Sequence, residues 1–470
     1  MLRCNHTGGA ILGVVTPEIR REIIKIALPV SLETVFQVAL GFVNQVIVGT
    51  LGTATIAAVG LANNLLFIGI LCLNVLGSGC AILISRALGK ESRGSGDQAA
   101  VSRIASLSLA VGLFVSSLIA VPLALFATPF LASVGADPEI ARIAGPYLSI
   151  SALTLPLITL SVVASAVFRA TGQPRVPMIV TIAAVALTPL LAWWFVIPLQ
   201  MGAVGAALAG VLTQALRSVI LIGLLFTNSR GIRFVWPDAL EARTLLTTML
   251  TLTWPLFVTE ILFSGGIFLY ALMVERLGMP ELAAFQIVAT LEPVFITAAF
   301  GFNAAATILV AQAIGRADRP GIWLMSRNIL QLGAISAAGF ALLFAATGFL
   351  LPVFFPNISP QVQSWAFWAI ILSAAFQVVK VSNMIFFGVI SSGGDTQFLL
   401  LSDFVTVFVF GLPVAYFLAF NAQWGFWGVM LGRLIAEETV RVVMFLWRYQ
   451  SGKWFKLEAD PEVIRETLLT

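Results

Sequence analysis

The sequence predicts an all-α membrane protein, with twelve transmembrane helices arranged as two six-helix repeats around a central cavity. Three observations carry that prediction. Of the 470 residues, 59% are hydrophobic and only 10% charged, with a mean hydropathy of +1.00; an ordinary soluble domain carries about 25% charged residues. Apolar runs of about 18 residues or more, long enough to cross a bilayer, recur along the whole chain. The two halves of the sequence also resemble each other. Together these exclude a soluble enzyme, a secreted disulfide scaffold and a disordered chain.

The runs fall at 23–48, 56–85, 101–128, 140–168, 175–197, 202–226, 247–274, 281–313, 327–352, 361–390, 397–420 and 424–448. This divides the chain into an N-terminal segment 1–22, a first lobe 23–226, a loop 227–246, a second lobe 247–448 and a tail 449–470. Residues 1–19 lack the apolar core of a cleaved signal peptide, so the first run is expected to remain. An even number of spans puts both termini on one side. Of the 26 Lys and Arg residues, 21 fall on that side, including Arg20, Arg21, Arg169, Arg217 and Arg243, and only Arg142 and Arg276 on the other. Positive charge collects on the cytoplasmic side, so both termini are expected in the cytoplasm and the protein in the plasma (inner) membrane. The net charge of +4 is thus a topology signal, and no nucleic-acid partner is expected. Trp193, Trp194, Trp424 and Trp427 near the outer ends, and Trp236, Trp323, Trp447 and Trp454 near the inner ends, read as interfacial anchors.

Shifting the sequence by 226 brings Pro29 onto Pro255, and from there to position 89 thirteen of the 61 aligned positions, Pro29 included, are identical. Val48–Gly52 meets Val274–Gly278, and Ile82–Gly89 meets Ile308–Gly315. With a small further shift Thr171-Gly172-Gln173 meets Gly393-Gly394-Asp395, and Gly202–Gly205 meets Gly425–Gly428. Six spans per repeat make the repeats parallel, related by an axis along the membrane normal. Two bundles facing each other across a cavity can open to either side by rocking, which is a transporter's architecture.

No GxxxxGK[ST] motif occurs, since Gly89-Lys90 is followed by Glu91, so ATP is not the expected energy source. HExxH and GxSxG are absent as well, and an enzyme or a receptor would need a catalytic cluster or a large soluble domain. Cys4, Cys72 and Cys80 form no CxxC pair, and His6 is the single histidine; no metal centre or cofactor is expected. An ion gradient, of H⁺ or Na⁺, is the simplest drive. The expected partners are a small-molecule substrate and the lipid bilayer, with the protein a monomer.

Ionisable groups inside spans are costly and default to function. The first half offers Glu33 alone well inside a span; the second offers Glu260, Glu292, Lys380, Asp403 and Arg433, with Glu437 and Glu438 nearer the end of the last span. A carboxyl in a low-dielectric cavity favours its neutral form, as a proton carrier needs, while converging carboxylates suit Na⁺. The cation-coupling candidates are therefore Glu260, Glu292 and Asp403, with Na⁺ possible at Glu260 and Glu292. Lys380 needs a carboxylate partner, and Arg433 has Glu437 four residues on. Asn44 and Tyr270, equivalent under the 226 shift, are expected to line the substrate cavity from facing lobes, with Glu33 and Lys380.

These residues reach a family. The chain resembles the multidrug and toxic compound extrusion (MATE) transporters through Leu28-Pro29, Val48–Gly52, Leu83–Gly89, Phe168–Pro174, Gly202–Ala207, Ala283–Ile287, Val310–Gly315 and Gly393–Thr396. The resemblance implies two six-helix lobes with a V-shaped cavity and efflux of amphipathic, often cationic compounds in exchange for H⁺ or Na⁺. It also implies that Glu260 matches the acidic residue of the seventh helix and Glu292 one seen in the eighth. Where many members have an Asp in helix 1 the chain has Asn44, and the helix 5 positions that resemble an Asn and an Asp are Thr188 and Ala192. The alternative is a flippase or exporter of a lipid-linked saccharide from the same superfamily, which would call for a strongly basic cavity. A major-facilitator transporter shares the six-plus-six count, but its usual Gly-(x)₃-Asp-Arg loop reads Gly89-Lys90-Glu91-Ser92-Arg93 here.

Overall fold

The computed structural model describes residues 17–51, 53–94, 99–133, 137–228, 232–355 and 358–457, and within these every regular element is helical. The first half comprises α1 (Pro17–Gly49), α2 (Thr53–Ser92), α3 (Ala100–Leu125), α4 (Ala127–Ser133), α5 (Pro138–Ala152), α6 (Thr154–Ala170), α7 (Arg175–Val196) and α8 (Gly202–Asn228). The second begins with α9 (Ala239–Glu275), α10 (Met279–Thr297), α11 (Phe300–Gly315), α12 (Arg319–Phe349), α13 (Leu351–Phe354), α14 (Pro360–Ala375) and α15 (Gln377–Ser392). It ends with α16 (Thr396–Phe404), α17 (Leu412–Tyr416), α18 (Phe426–Leu431) and α19 (Glu438–Ser451), interrupted by π-helical stretches at Val405–Gly411, Phe417–Asn421 and Gly432–Glu437.

The starts follow capping chemistry. The side chains of Asp137, Asp238, Asp318 and Ser359 each accept a hydrogen bond from a free backbone N–H of the turn that follows, opening α5, α9, α12 and α14. Proline in the first turn of α5, α12 and α14 gives up no helical hydrogen bond. Inside the membrane, Pro29, Pro122, Pro255 and Pro293 are tolerated within continuous helices. α14 and α15 form one run bent by 47° at Phe376.

Among the described residues, nine helices are long and apolar enough to span a membrane, ten if the α14–α15 pair counts as one span. Neither α1 nor the last run is in that number. The last run, read from the sequence as the span 424–448, carries Arg433, Glu437, Glu438 and Arg441.

The first-half helices pack mainly on each other, α2 on α6 and α7 on α8, and the second-half helices do likewise, α9 on α16 and α11 on α15. The halves meet where α1 and α2 cross α11 and where α2 crosses α9. Ser31 donates to the Ala298 carbonyl at 2.5 Å and Thr34 to that of Thr297 at 3.3 Å, at the break between α10 and α11. Gly301 lets α11 lie against the Ala27 carbonyl of α1. Ile23, near the start of α1, and Trp454, just after α19, share one apolar cluster, so the described ends of the chain lie together.

Two details differ from the sequence reading. Trp454 is no interfacial anchor: it is buried, stacked on Tyr449 and edge-on to Trp323 and Phe455. Arg217, counted with the exposed charges of the terminus side, is buried inside α8 with an acidic partner; removing it leaves the charge bias intact.

One close helix contact in the second half relies on missing side chains. A Cβ at Gly428 would strike the Ala419 Cα at 2.7 Å, and one at Gly432 the Ala415 backbone nitrogen at 2.6 Å. Small residues four apart let membrane helices approach closely. Gly432→Leu is expected to lower the thermal unfolding midpoint in detergent by several degrees, about 2 kcal/mol of overpacking. Gly265→Ala, which meets no atom within 4 Å, should leave the midpoint in place; equal midpoints for both variants would refute this packing.

Candidate functional site

The second lobe holds two linked clusters of buried charge. In the first, Glu292 of α10 accepts from Lys380 Nζ of α15 through Oε1 and from Arg433 Nη2 at 3.3 Å through Oε2. Arg433 also lies over the Phe285 ring, 5.7 Å from its centroid. In the second, Arg441 of α19 reaches Asp403 of α16 at 3.0 Å, Glu437 at 2.9 Å and Glu438 at 3.3 Å. Tyr270 of α9 donates to Glu437 Oε2 at 2.8 Å, and Asn383 of α15 donates to Glu438 Oε2 at 2.8 Å. Gly411 keeps the space for the tyrosine hydroxyl, because a Cβ there would collide with it. π-helical turns, which are frequent at functional sites, run through Val405–Gly411 and Gly432–Glu437 next to both clusters.

Among the described residues the first lobe has one such cluster. Glu33 accepts from Arg169 at 2.6 Å, from Thr181 at 2.9 Å and from Arg217 at 3.3 Å. An isolated charge in low dielectric costs several kcal/mol, so pairing is the condition for burying these groups.

Glu260 stands apart. It lies half-buried on α9, five residues beyond Pro255, and makes no hydrogen bond or ion pair among the described residues. The negative charge of Asp403 acts on it, and its own charge reaches Cys72 on α2 of the other lobe. It is thus a carboxylate within the field of a second carboxylate, on the helix that packs against α2 of the other lobe.

The structure sorts the expected site residues. Asp403, expected to lie only one to two turns into its span, is buried and held by Arg441. Lys380 finds its carboxylate in Glu292. Arg433 turns to Glu292 rather than to Glu437. Glu292 is therefore matched by two cations, not the lone buried carboxylate the sequence suggested. Tyr270 does not line an open cavity: it is buried and committed to Glu437. Glu33 is closed off by its two arginines and Thr181 and is 1% exposed. Asn44 sits on α1, but its side chain lies outside the described residues. Sequence reasoning missed Arg441 as the hub of the second cluster. The signal was present, since Arg433, Glu437 and Arg441 recur every four residues in an otherwise apolar run.

With that geometry in hand, known proteins are informative. The family model MatE matches residues 29–194 and 255–417, two segments whose starts are 226 residues apart, the offset of the internal repeat. The chain belongs to the MATE family. A probable multidrug resistance protein NorM of Thermotoga maritima is 25% identical over 94% of both chains. The multidrug resistance protein NorM of Burkholderia vietnamiensis is 25% identical over 95% of this chain and 97% of its own. A multidrug resistance MATE transporter of the MOP superfamily, solved in an outward-facing conformation, superposes with a TM-score of 0.84 at 20% identity, covering 93% of this chain and 97% of the other. A MOP superfamily transporter from Pyrococcus furiosus, described as having a binding pocket of reversed polarity, gives 0.83 at 20% identity over 92% and 96%. At such identity these two structures establish the fold.

The first-lobe positions that the resemblance singled out are occupied by uncharged residues. Thr188 donates to Ala184 and meets Thr213 at 3.0 Å, and Ala192 is fully buried. Neither position offers a carboxylate.

The pairing makes a prediction about stability. Lys380→Met strips Glu292 of its closest cation and is expected to cost about 3 kcal/mol, the usual penalty for breaking a buried pair. Lys380→Met with Glu292→Gln removes the carboxylate that Arg433 alone would then have to balance and should recover at least half of that loss. Thermal unfolding in detergent reads both, and a double variant no more stable than Lys380→Met would contradict the pairing.

Proposed function

We propose that this MATE protein is a secondary active antiporter that exports amphipathic, cationic organic compounds from the cytoplasm in exchange for H⁺, with Glu260 as the group that carries the coupling ion. The observation that carries the reading is the contrast between half-buried Glu260 and the paired acids of the two lobes. Glu33, Glu292, Asp403, Glu437 and Glu438 all have cationic partners, whereas Glu260 has none among the described residues. A carboxyl without a cation partner in a low-dielectric cleft can take up and release a proton; one locked to arginine has no reason to. The negative field of Asp403 favours any cation at this place, whether H⁺, Na⁺ or the substrate's own charge. Exchange follows when proton and substrate compete for one site that alternately faces the two sides.

The NorM names of the curated relatives support multidrug export. The acidic balance of the second lobe supports a cationic substrate over a lipid-linked saccharide, since Glu260, Glu292, Asp403, Glu437 and Glu438 outnumber Lys380, Arg433 and Arg441. In this reading the chain spans the inner membrane twelve times as a monomer, lobes 23–226 and 247–448, with both termini cytoplasmic. The in-membrane carboxylates left to Asp403 and Glu292 hold the second lobe's helices in register around Glu260.

Efflux of a cationic dye from vesicles, with pH and Na⁺ gradients imposed separately, tests the coupling. Glu260→Gln should abolish gradient-driven efflux while expression and dye binding persist. Full proton-driven efflux by Glu260→Gln would sink the assignment, and a strict Na⁺ requirement would sink the choice of H⁺. Orientation is read by reporter fusions: those after Arg243 and Lys456 should report cytoplasm and one at Ser359 the outside, and the opposite pattern would reverse the topology.

A further inference from the structure

The contacts between lobes contain a matched pair that neither the coupling site nor the substrate requires. At the end of α2, Arg86 reaches across to the other lobe and donates twice to the carbonyl of Ser392, from Nε at 3.1 Å and Nη2 at 2.6 Å. At the end of α11, Gln312 reaches back and donates from Nε2 to the carbonyl of Ala170 at 3.0 Å. Ser392 and Ala170 are the last residues of α15 and α6, where helix carbonyls have no partner within the helix.

The four positions are related by the repeat. Gln312 is Arg86 shifted by 226, and Ser392 is Ala170 shifted by the 222 that aligns Thr171-Gly172-Gln173 with Gly393-Gly394-Asp395. Between the two arms lie Gly89 and Gly315, also 226 apart. A Cβ on Gly89 would meet the Gly315 Cα at 2.8 Å and the Arg316 nitrogen at 2.9 Å, and one on Gly315 would meet the Arg86 Cα at 3.0 Å. The ends of α2 and α11 therefore cross backbone to backbone, and each sends one side chain over the crossing to cap the opposite lobe.

We infer that Arg86 and Gln312 form a pseudo-symmetric latch that holds the lobes closed at the terminus end of the molecule, and that opening this end requires both crossed bonds to break. The two arms are unequal. Arg86 makes a charge-assisted, two-donor contact with a helix end that carries partial negative charge, and Gly394, in a left-handed turn with φ +85°, lies 3.1 Å from its Nη2 measured from where a Cβ would sit. Gln312 makes one neutral bond and borders a cavity of about 580 Å³ shared with Lys25, Arg169, Thr171 and Arg316. The arginine arm supplies most of the holding strength, and the glutamine arm has room for a larger side chain.

The inference stands without any assumption about coupling ion or substrate, because its test reads lobe separation. Spin labels go on Arg175→Cys and Gln397→Cys, exposed positions 222 apart at the starts of α7 and α16, in full-length protein with Cys4, Cys72 and Cys80 replaced by Ala. Pulsed-dipolar distance distributions in lipid nanodiscs then give the ratio of wide to narrow populations. Arg86→Ala should raise that ratio about tenfold and Gln312→Ala about threefold, in keeping with charged and neutral hydrogen bonds. The swap Arg86→Gln with Gln312→Arg moves the strong arm to the roomy side and should return the ratio to within about twofold of the parent. If Arg86→Ala fails to fold, Arg86→Lys, which keeps the charge with one donor geometry lost, should still shift the ratio by about threefold. Unchanged distributions in the folded single variants, or a swap as open as Arg86→Ala with Gln312→Ala, would overturn the latch.

Discussion

Burial of charge in a medium that cannot solvate it governs this structure. Each ionised group inside a span must find an opposite charge or be neutral part of the time. The second lobe meets this condition with Lys380 and Arg433 on Glu292, and Arg441 on Asp403, Glu437 and Glu438; the first lobe meets it with Arg169 and Arg217 on Glu33. These pairs join α10 to α15, α16 to α19 and α1 to α6 and α8, so the same bonds that make the charges tolerable also fix the helices relative to one another. Glu260 has no such partner among the described residues, and that exemption is the basis on which we propose it as the proton-exchanging group.

The same economy extends to backbone groups. Helix ends that meet inside the protein present carbonyls without partners. Arg86 and Gln312 satisfy two of them across the lobe boundary, and the glycine crossing at Gly89 and Gly315 brings the chains close enough for side chains of that length to reach. Closure of one end is thus built from groups that are free to be solvated once the lobes part, which keeps the closed state stable without making it permanent.

Much of this was legible in the sequence. Composition and run length revealed a helical membrane protein, and the 226-residue offset revealed two lobes before any coordinates. The ionisable residues inside the spans were visible too, because an acid among apolar neighbours stands out. Their partners were not. Glu292 and Lys380 are 88 residues apart, and no spacing rule connects them. Arg433 misled for a physical reason: residues four apart stack on an α-helix, but Gly432–Glu437 is π-helical, and the wider turn swings Arg433 away from Glu437 towards Glu292. Arg441, on the regular helix that follows, does pair with Glu437 at that spacing. Arg217 misled because it reads as a terminus-side cation although it lies within the 202–226 run, and its partner Glu33 is 184 residues away in sequence, where no spacing rule reaches.

The central claim is that one carboxyl, Glu260, is available to exchange a proton while the other buried acids are held by cations. Proton release on binding of a cationic dye, measured with purified protein in weakly buffered detergent near neutral pH, tests it most directly. Wild-type protein and a Glu292→Gln variant that remains folded should each release protons as the dye binds, and Glu260→Gln should bind dye with no release. Release that persists in Glu260→Gln and vanishes in Glu292→Gln would contradict the account.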